Sequence, residues 1–584
     1  MRLPELEVPR RLRAFARAYE SSLILLAAAV GVSAGLVVVL MSSAVDILHQ
    51  LLFGIGPGQR LSASMSIDPW LAFGVPFVGG LAFGGLTALI AAWRPRREVD
   101  PIEANALHGG RMSLVGSAVV AGETVLSSGV GASVGLEAGY TQLAGGMASW
   151  LGRAFHLRRG DLRVLVGCGA AAGIAGAFGA PLAGAFYAFE LIIGGYSTAN
   201  LAPVGIAALV GYLVTRTVAP AELGIVAAQT STVAAHDLAV AGLVGLLAAL
   251  FGIGLMRGVA FCETLFVRLR VPPALRPAIG GLVVGLLALI TPQVMSSGHG
   301  ALHLTGVLDL PLRAVALIFA LKVIASVVSL GSGFRGGLFF ASLLIGALGG
   351  HLFASALGAL GSGYYFDPDA YALVGMSALS AAVIGGPLTM IFIALESTGN
   401  LWLTGAVLIA VIISAQLTRE VFGYSFATWR FHLRGESIRS AADVGWIRDL
   451  TVVKMMVQNV PITAVSATIA EFRRQFPLGS TAQVVAIDDR QRYAGLVVVA
   501  DAHASEVPEG KTVADLMRHR DHMLLPTMTI KQTVEMFDQT EAEALAVVDS
   551  YLDRKVIGLL TEAYALRRYS AELEVRQREL LGES

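Results

Sequence analysis

From Ser22 to about Phe431 the chain is a succession of apolar runs, many of them short or cut by Gly and Pro. In lipid every backbone N–H and C=O must be satisfied internally, which a helix achieves within one apolar segment. Helices interrupted by Gly or Pro are tolerated at membrane depth where their ends line a cavity. These constraints define an α-helical polytopic membrane protein that sits in a lipid bilayer. The composition agrees: 14% of residues are charged, against about 25% in a typical soluble chain. The 67 glycines suit helices that approach closely in lipid.

The apolar region repeats itself. "LVGCGAAAGIAGAFGAPLAGAFYAFE" (Leu165–Glu190) resembles "LVGMSALSAAVIGGPLTMIFIALE" (Leu373–Glu396). Pro181-Leu182 and Pro387-Leu388 each precede a glutamate, Glu190 or Glu396, at the same spacing. A Gly-rich segment stands upstream of each block, "GLEAGYTQLAGG" in the first half and "GGLFFASLLIGALGG" in the second. Internal repeats in membrane proteins mark two structural halves with a site at their interface. Broken helices that aim their N-termini into that site would favour an anion through unpaired N–H groups.

Within the first Gly-rich segment, "GASVGLEAGYTQLAGG" (Gly131–Gly146) carries one acid, Glu137. A lone charge in such a segment is a functional-site hypothesis by default. A structural acid paired to an arginine, or a helix N-cap, is the equal alternative from the local stretch alone.

Other chemistries find no support. Formal net charge is zero, which argues against nucleic-acid binding. Cys168 and Cys262 lie in apolar segments and fit neither a zinc site nor a disulfide framework. No Ser, His and Asp constellation suggests an enzyme, and "GLEAG" lacks the serine of a nucleophile elbow. We expect no metal and no cofactor. The basic N-terminal segment, residues 1–21 with Arg10, Arg11, Arg13 and Arg17, has no small-residue cleavage site and reads as a cytoplasmic lead-in. The basic connections Arg153–Arg163, Arg268–Arg276 and Trp429–Arg439 are expected on the same side. Beyond Gly445 charges mix with short strand-like runs such as "AQVVAI" and "YAGLVVVA", which mark a soluble tail.

"GLEAG" with the following "YTQLAGG", the "GAPLAG…FE" block, "SGFRGGLFFA" and "FGYSFATWR" occur in an order and spacing that resemble the chloride channel and transporter (CLC) family, over about Ser22 to Tyr569. The resemblance implies a CLC-type inverted repeat with broken, tilted helices in residues 22–434, with halves at about 22–216 and 235–434. It implies a homodimer with one anion pathway per subunit. Glu137 takes the place of the family's gating glutamate. A tethered carboxylate is itself an anion and blocks the site until it is protonated and swings away. The neighbours Gly135, Leu136 and Ala138 belong to the same anion-binding stretch. Leu136 and Ala138-Gly139 stand where the family usually has a basic residue and Gly-Pro. Leu338 and Phe339 match the second-half loop whose backbone N–H groups face the anion. Tyr424 matches the tyrosine whose hydroxyl faces the central anion.

The chain departs from the family at three places. The family's Gly-Ser-Gly-Ile-Pro stretch, whose serine lines the central site, corresponds to Glu98, Val99, Asp100 and Pro101, with Glu98 at the serine position. We expect a repositioned loop in which a backbone N–H or another hydroxyl, among Ser127, Ser128 and Ser133, replaces that serine. Family exchangers place a second acid after the "FE" glutamate to relay protons; here it is Leu191, which leans toward passive conduction. The tail, residues 435–584, resembles a pair of small α/β cystathionine-β-synthase-type (CBS) domains at about 452–504 and 513–569. Such pairs often bind adenine nucleotides. Here "GLLTEAY" keeps Gly558 and Thr561 but has Tyr564 where the ribose-binding acid usually stands, so a nucleotide is disfavoured and dimer packing is the expected role. The expected function is a chloride channel. The alternatives are an anion/proton exchanger, passage of bicarbonate, nitrate or fluoride, and a sensor whose flux is secondary.

Overall fold

The computed structural model describes residues 9, 20–94, 98–219, 234–305, 311–360, 366–426, 428–429 and 451–568. The chain divides into two compact units, Met1–Asp443 and Val444–Ser584. The expected boundary near residue 434, the N-terminal segment as far as Tyr19 apart from Pro9, and most of Trp429–Arg439 fall outside the described residues.

In the first unit the described helices form two series in the same order. The first runs α1 (Glu20–Phe53), α2 (Pro69–Trp93), α3 (Pro101–Leu107), α4 (Leu114–Gly129), α5 (Glu137–Ala154), α6 (Arg159–Phe178), α7 (Pro181–Tyr187) and α8 (Thr198–Val218). The second runs α9 (Ala235–Arg268), α10 (Arg276–Ala288), α11 (His299–Thr305), α12 (Leu312–Gly331), α13 (Phe339–Ala359), α14 (Pro368–Ile384), α15 (Pro387–Thr398) and α16 (Leu401–Val421). The first and last members match in length: α1 and α9 each have 34 residues, and α8 and α16 each have 21. Among the described residues eight helices are long and apolar enough to cross a membrane. The protein is a multi-pass membrane protein built as an inverted repeat.

Local chemistry sets the breaks. The α6 and α14 helices each end on a glycine in the left-handed region, Gly179 (φ 66°) and Gly385 (φ 84°). A proline two residues later, Pro181 or Pro387, opens the next helix. Glycine accepts the positive φ without the Cβ penalty, and proline at the first helical position loses no hydrogen bond. The repeated "LVG…PL" block is this helix–turn–helix, made twice.

The two halves then hold each other reciprocally. The Glu190 carboxylate accepts the backbone N–H groups of Leu388 (2.8 Å) and Thr389 (2.9 Å) at the start of α15, and the Thr389 hydroxyl (2.7 Å). The Glu396 carboxylate accepts those of Leu182 (2.8 Å) and Ala183 (2.9 Å) at the start of α7. Mutual contact between equivalent residues is the signature of a two-fold relation. The largest core forms mainly around α13, α14 and α16, and a second one packs α1, α6 and α8. Fully buried Lys322 on α12 donates Nζ to the carbonyls of Val294 (3.1 Å) and Ser296 (2.9 Å), pinning the loop before α11.

The second unit has two small α/β modules. In the first, β1 (Ile462–Ala464) pairs parallel with β2 (Gln483–Ile487), which pairs antiparallel with β3 (Tyr493–Val498). In the second, β4 (Ala544–Val548) and β5 (Val556–Thr561) pair antiparallel. Each carries a helix opened by a capping box, Thr468 with Glu471 and Thr529 with Gln532. Val485, Ile487 and Leu496 of one module share a core with Ala546 and Val548 of the other, so the modules form a pair. Tyr564 is 42% exposed and its N–H points to the Thr561 hydroxyl (3.4 Å).

Candidate functional site: a cavity between the repeats

Two glycine-led turns meet at the middle of the first unit. Gly135-Leu136-Glu137 opens α5 and Gly337-Leu338-Phe339 opens α13. Gly135 N–H donates to the Gly337 carbonyl (3.0 Å) and Gly337 N–H to the Gly135 carbonyl (3.1 Å). The N-cap residues, Leu136 and Leu338, have no side chain able to cap, so first-turn N–H groups of both helices need other partners.

Glu137 meets that need. It is 4% exposed, and its Oε1 accepts the N–H of Phe339 at 2.7 Å. Its Oε2 makes no hydrogen bond among the described residues. The glycines are required for this approach. A Cβ at Gly135 would lie 2.0 Å from Oε2, and one at Gly337 would lie 2.2 Å from Oε1. Of the local readings of the lone acid, the geometry shows the helix cap. Glu137 caps a helix, and the helix it caps belongs to the other repeat. An N-terminus filled by a carboxylate is an N-terminus able to hold an anion.

Glu137 lines a cavity of about 690 Å³ together with Ala138, Leu338, Phe339, Leu191, Glu98, Asp100 and Pro101. The sequence-predicted residues are largely brought together there. Gly135 and Leu136 are not on its wall. Leu136 instead lines a second cavity of about 140 Å³, with Tyr140, Asp46, His49, Arg60 and Phe340. The turn that carries Glu137 thus stands between two cavities.

Four expectations land elsewhere. Tyr424 packs against Phe422 (6.4 Å) and Trp429 (5.6 Å) and is not among the cavity-lining residues. Tyr187 from α7 is there instead, stacked on Phe339 at 6.2 Å with rings 9° apart. The candidate hydroxyls brace the fold. Ser127 Oγ accepts the Arg335 N–H (3.0 Å), Ser128 bonds Ser296 (2.9 Å), and Ser133 bonds Ser326 (3.0 Å). Thr87, Thr124, Thr141, Gln142 and Tyr187 are the uncharged polar side chains among the described lining residues.

The segment that the resemblance aligns with the family's serine stretch leads into α3. Asp100 caps α3 by accepting the Glu103 N–H (2.9 Å), Pro101 opens the helix, and the Val99 carbonyl accepts Gln142 Nε2 (2.9 Å). Glu98 pairs with Arg94 at 3.5 Å and lies over Gly116, where a Cβ would collide with its carboxylate. Sequence reasoning also passed over Arg335 and Glu123, both on the cavity wall and 3.1 Å apart. The arginine sat in the quoted "SGFRGGLFFA", and its charge was the available signal.

A family model described as "Voltage gated chloride channel" matches residues 79–419. The voltage-gated ClC-type chloride channel ClcB of Escherichia coli (strain UMN026) is 32% identical over 411 residues, covering 68% of this chain and 96% of its own. This chain belongs to the CLC family. Its fold matches a solved slow cyanobacterial Cl−/H+ antiporter, with TM-score 0.62 and 22% identity, over 70% of this chain and 97% of the other. A eukaryotic CLC transporter matches with TM-score 0.59 and 19% identity, over 92% of this chain and 97% of that one. In this CLC chain Leu191 lines the cavity, and Glu190 beside it caps α15.

Proposed function

We propose that this CLC protein conducts chloride or another small anion, with Glu137 as the gate. It acts as a homodimer with one pathway per subunit, and its termini and tail are cytoplasmic. The observation that carries the reading is the Glu137 carboxylate on the Phe339 N–H at 2.7 Å, at the wall of the larger cavity. Ionised, Glu137 fills the donor that a permeating anion needs. Protonated, it loses the charge that holds it there, and the anion takes its place. Leu338 and Phe339 supply backbone donors, and Gly135 to Ala138 form the facing turn. Tyr424 is a wall residue of the route only if Phe422 and Trp429 release it. The tail packs subunits together, and Tyr564 disfavours an adenine nucleotide there.

Passive conduction is supported by Leu191, which cannot carry a proton. A second reading, anion/proton exchange, is supported by Glu98 and Glu123, which share the cavity with Glu137 and give protons somewhere to go. Reversal potentials of the reconstituted protein under separate chloride and proton gradients distinguish them. A passive pathway reverses at the anion's own equilibrium potential whatever the proton gradient. A reversal potential that shifts with the proton gradient makes the protein an exchanger.

A further inference from the structure

Among the described lining residues, the larger cavity carries four carboxylates, Glu98, Asp100, Glu123 and Glu137, and two guanidiniums, Arg94 and Arg335. A wall with this balance repels anions unless some carboxylate is neutralised or displaced. Each arginine is engaged by an acid: Arg94 by Glu98 at 3.5 Å, and Arg335 Nε by Glu123 Oε2 at 3.1 Å. Asp100 is spent on the α3 cap, and Glu137 on Phe339.

The Glu123–Arg335 pair repeats the Glu137 arrangement one step away. Glu123 sits on α4 of the first half; Arg335 sits in the turn before α13 of the second. The α4 helix grips that turn twice, one helical turn apart: Glu123 takes the side chain, and Ser127 takes the Arg335 backbone N–H (3.0 Å). The Glu123 side chain is 7% exposed, whereas Arg335 is 48% exposed. The acid is buried in the wall and the cation opens on the cavity. A cation held in place by its backbone, with its charge occupied by a tethered carboxylate, is an anion site with its own occupant.

We infer that Arg335 is an anion-binding residue of the pathway, that Glu123 is its tethered competitor, and that the site selects small planar oxyanions over spherical halides. The inference rests on the proposed anion pathway and deepens it. The present occupant is a carboxylate, a planar group with two oxygens. Nitrate, bicarbonate and formate present the same oxygen pair, which a guanidinium can engage through two parallel N–H groups. A spherical halide gains charge attraction from the arginine but not the paired geometry.

The test is efflux of nitrate and of chloride from liposomes containing the full chain. In Glu123→Gln, which removes the competing charge and nearly keeps the shape, the nitrate-to-chloride flux ratio is expected to rise by roughly threefold or more, the lower end of what one added hydrogen bond contributes. In Arg335→Lys, which keeps the charge but not the fork, the ratio is expected to fall below wild type. The double variant is expected to lose the gain of Glu123→Gln. Ratios cancel differences in the amount of folded protein, and Arg335→Lys stands alone if Glu123→Gln does not fold. A ratio at the wild-type value in Arg335→Lys, and in Glu123→Gln where it folds, overturns the inference. If wild-type chloride flux persists in that case, the anion pathway survives it; if the wild type carries neither anion, both fall.

Discussion

Glu190 and Glu396, at equivalent places in the two repeats, each cap the proline-led helix of the opposite repeat through paired backbone N–H groups. The chain thereby closes its two halves with charge-assisted bonds, which are stronger than neutral ones. It also explains why each "PL" block ends in a glutamate: the acid is positioned for the other block's helix start.

Removing one of these caps has a calculable cost. Glu190→Ala leaves two backbone donors and the Thr389 hydroxyl without their acceptor. The expected loss is about 2–4 kcal/mol, since an unsatisfied buried group costs about 1–3 kcal/mol and the terms are not additive. Thermal unfolding in detergent should show Glu190→Ala well below wild type and Glu190→Gln, which keeps an acceptor oxygen, between them. Equal melting temperatures for Ala and Gln would remove the cap from the account.

Gly337→Ala tests the gate without touching the acid. The new Cβ would lie 2.2 Å from Glu137 Oε1. The far end of a glutamate side chain moves more easily than backbone, so the carboxylate should leave the Phe339 N–H. Anion flux in liposomes is expected to rise, and its dependence on pH to weaken, while Glu137 remains present. Flux that keeps both its wild-type rate and its wild-type pH profile would show that the carboxylate's seat does not control conduction.

Much of this is legible in the sequence. The Pro181 and Pro387 blocks exposed the repeat because an inverted repeat preserves local spacing, and local spacing is what a sequence displays. Glu137 stood out because a charge among glycines has few explanations. The pairing of Glu190 with α15 was not legible, since a contact between distant halves leaves no periodicity. Tyr187 was hidden in an apolar block, where an aromatic residue reads as core. Tyr424 shows the reverse: a motif gives a residue's identity, but not its neighbours, which here include Phe422 and Trp429. Arg335 was written in a quoted motif, and only the fold brings Glu123 to it.

The central claim is that an ionised Glu137 blocks an anion pathway and a neutral one opens it. The most direct measurement is anion flux through Glu137→Gln in liposomes, followed from acid to neutral pH beside wild type. Glutamine keeps the size of the side chain and lacks the charge, so it stands for the protonated gate at every pH. The account predicts wild-type flux that falls as pH rises and ionises Glu137, and Glu137→Gln flux that stays high and nearly flat. A Glu137→Gln protein that retains the wild-type pH profile would contradict it.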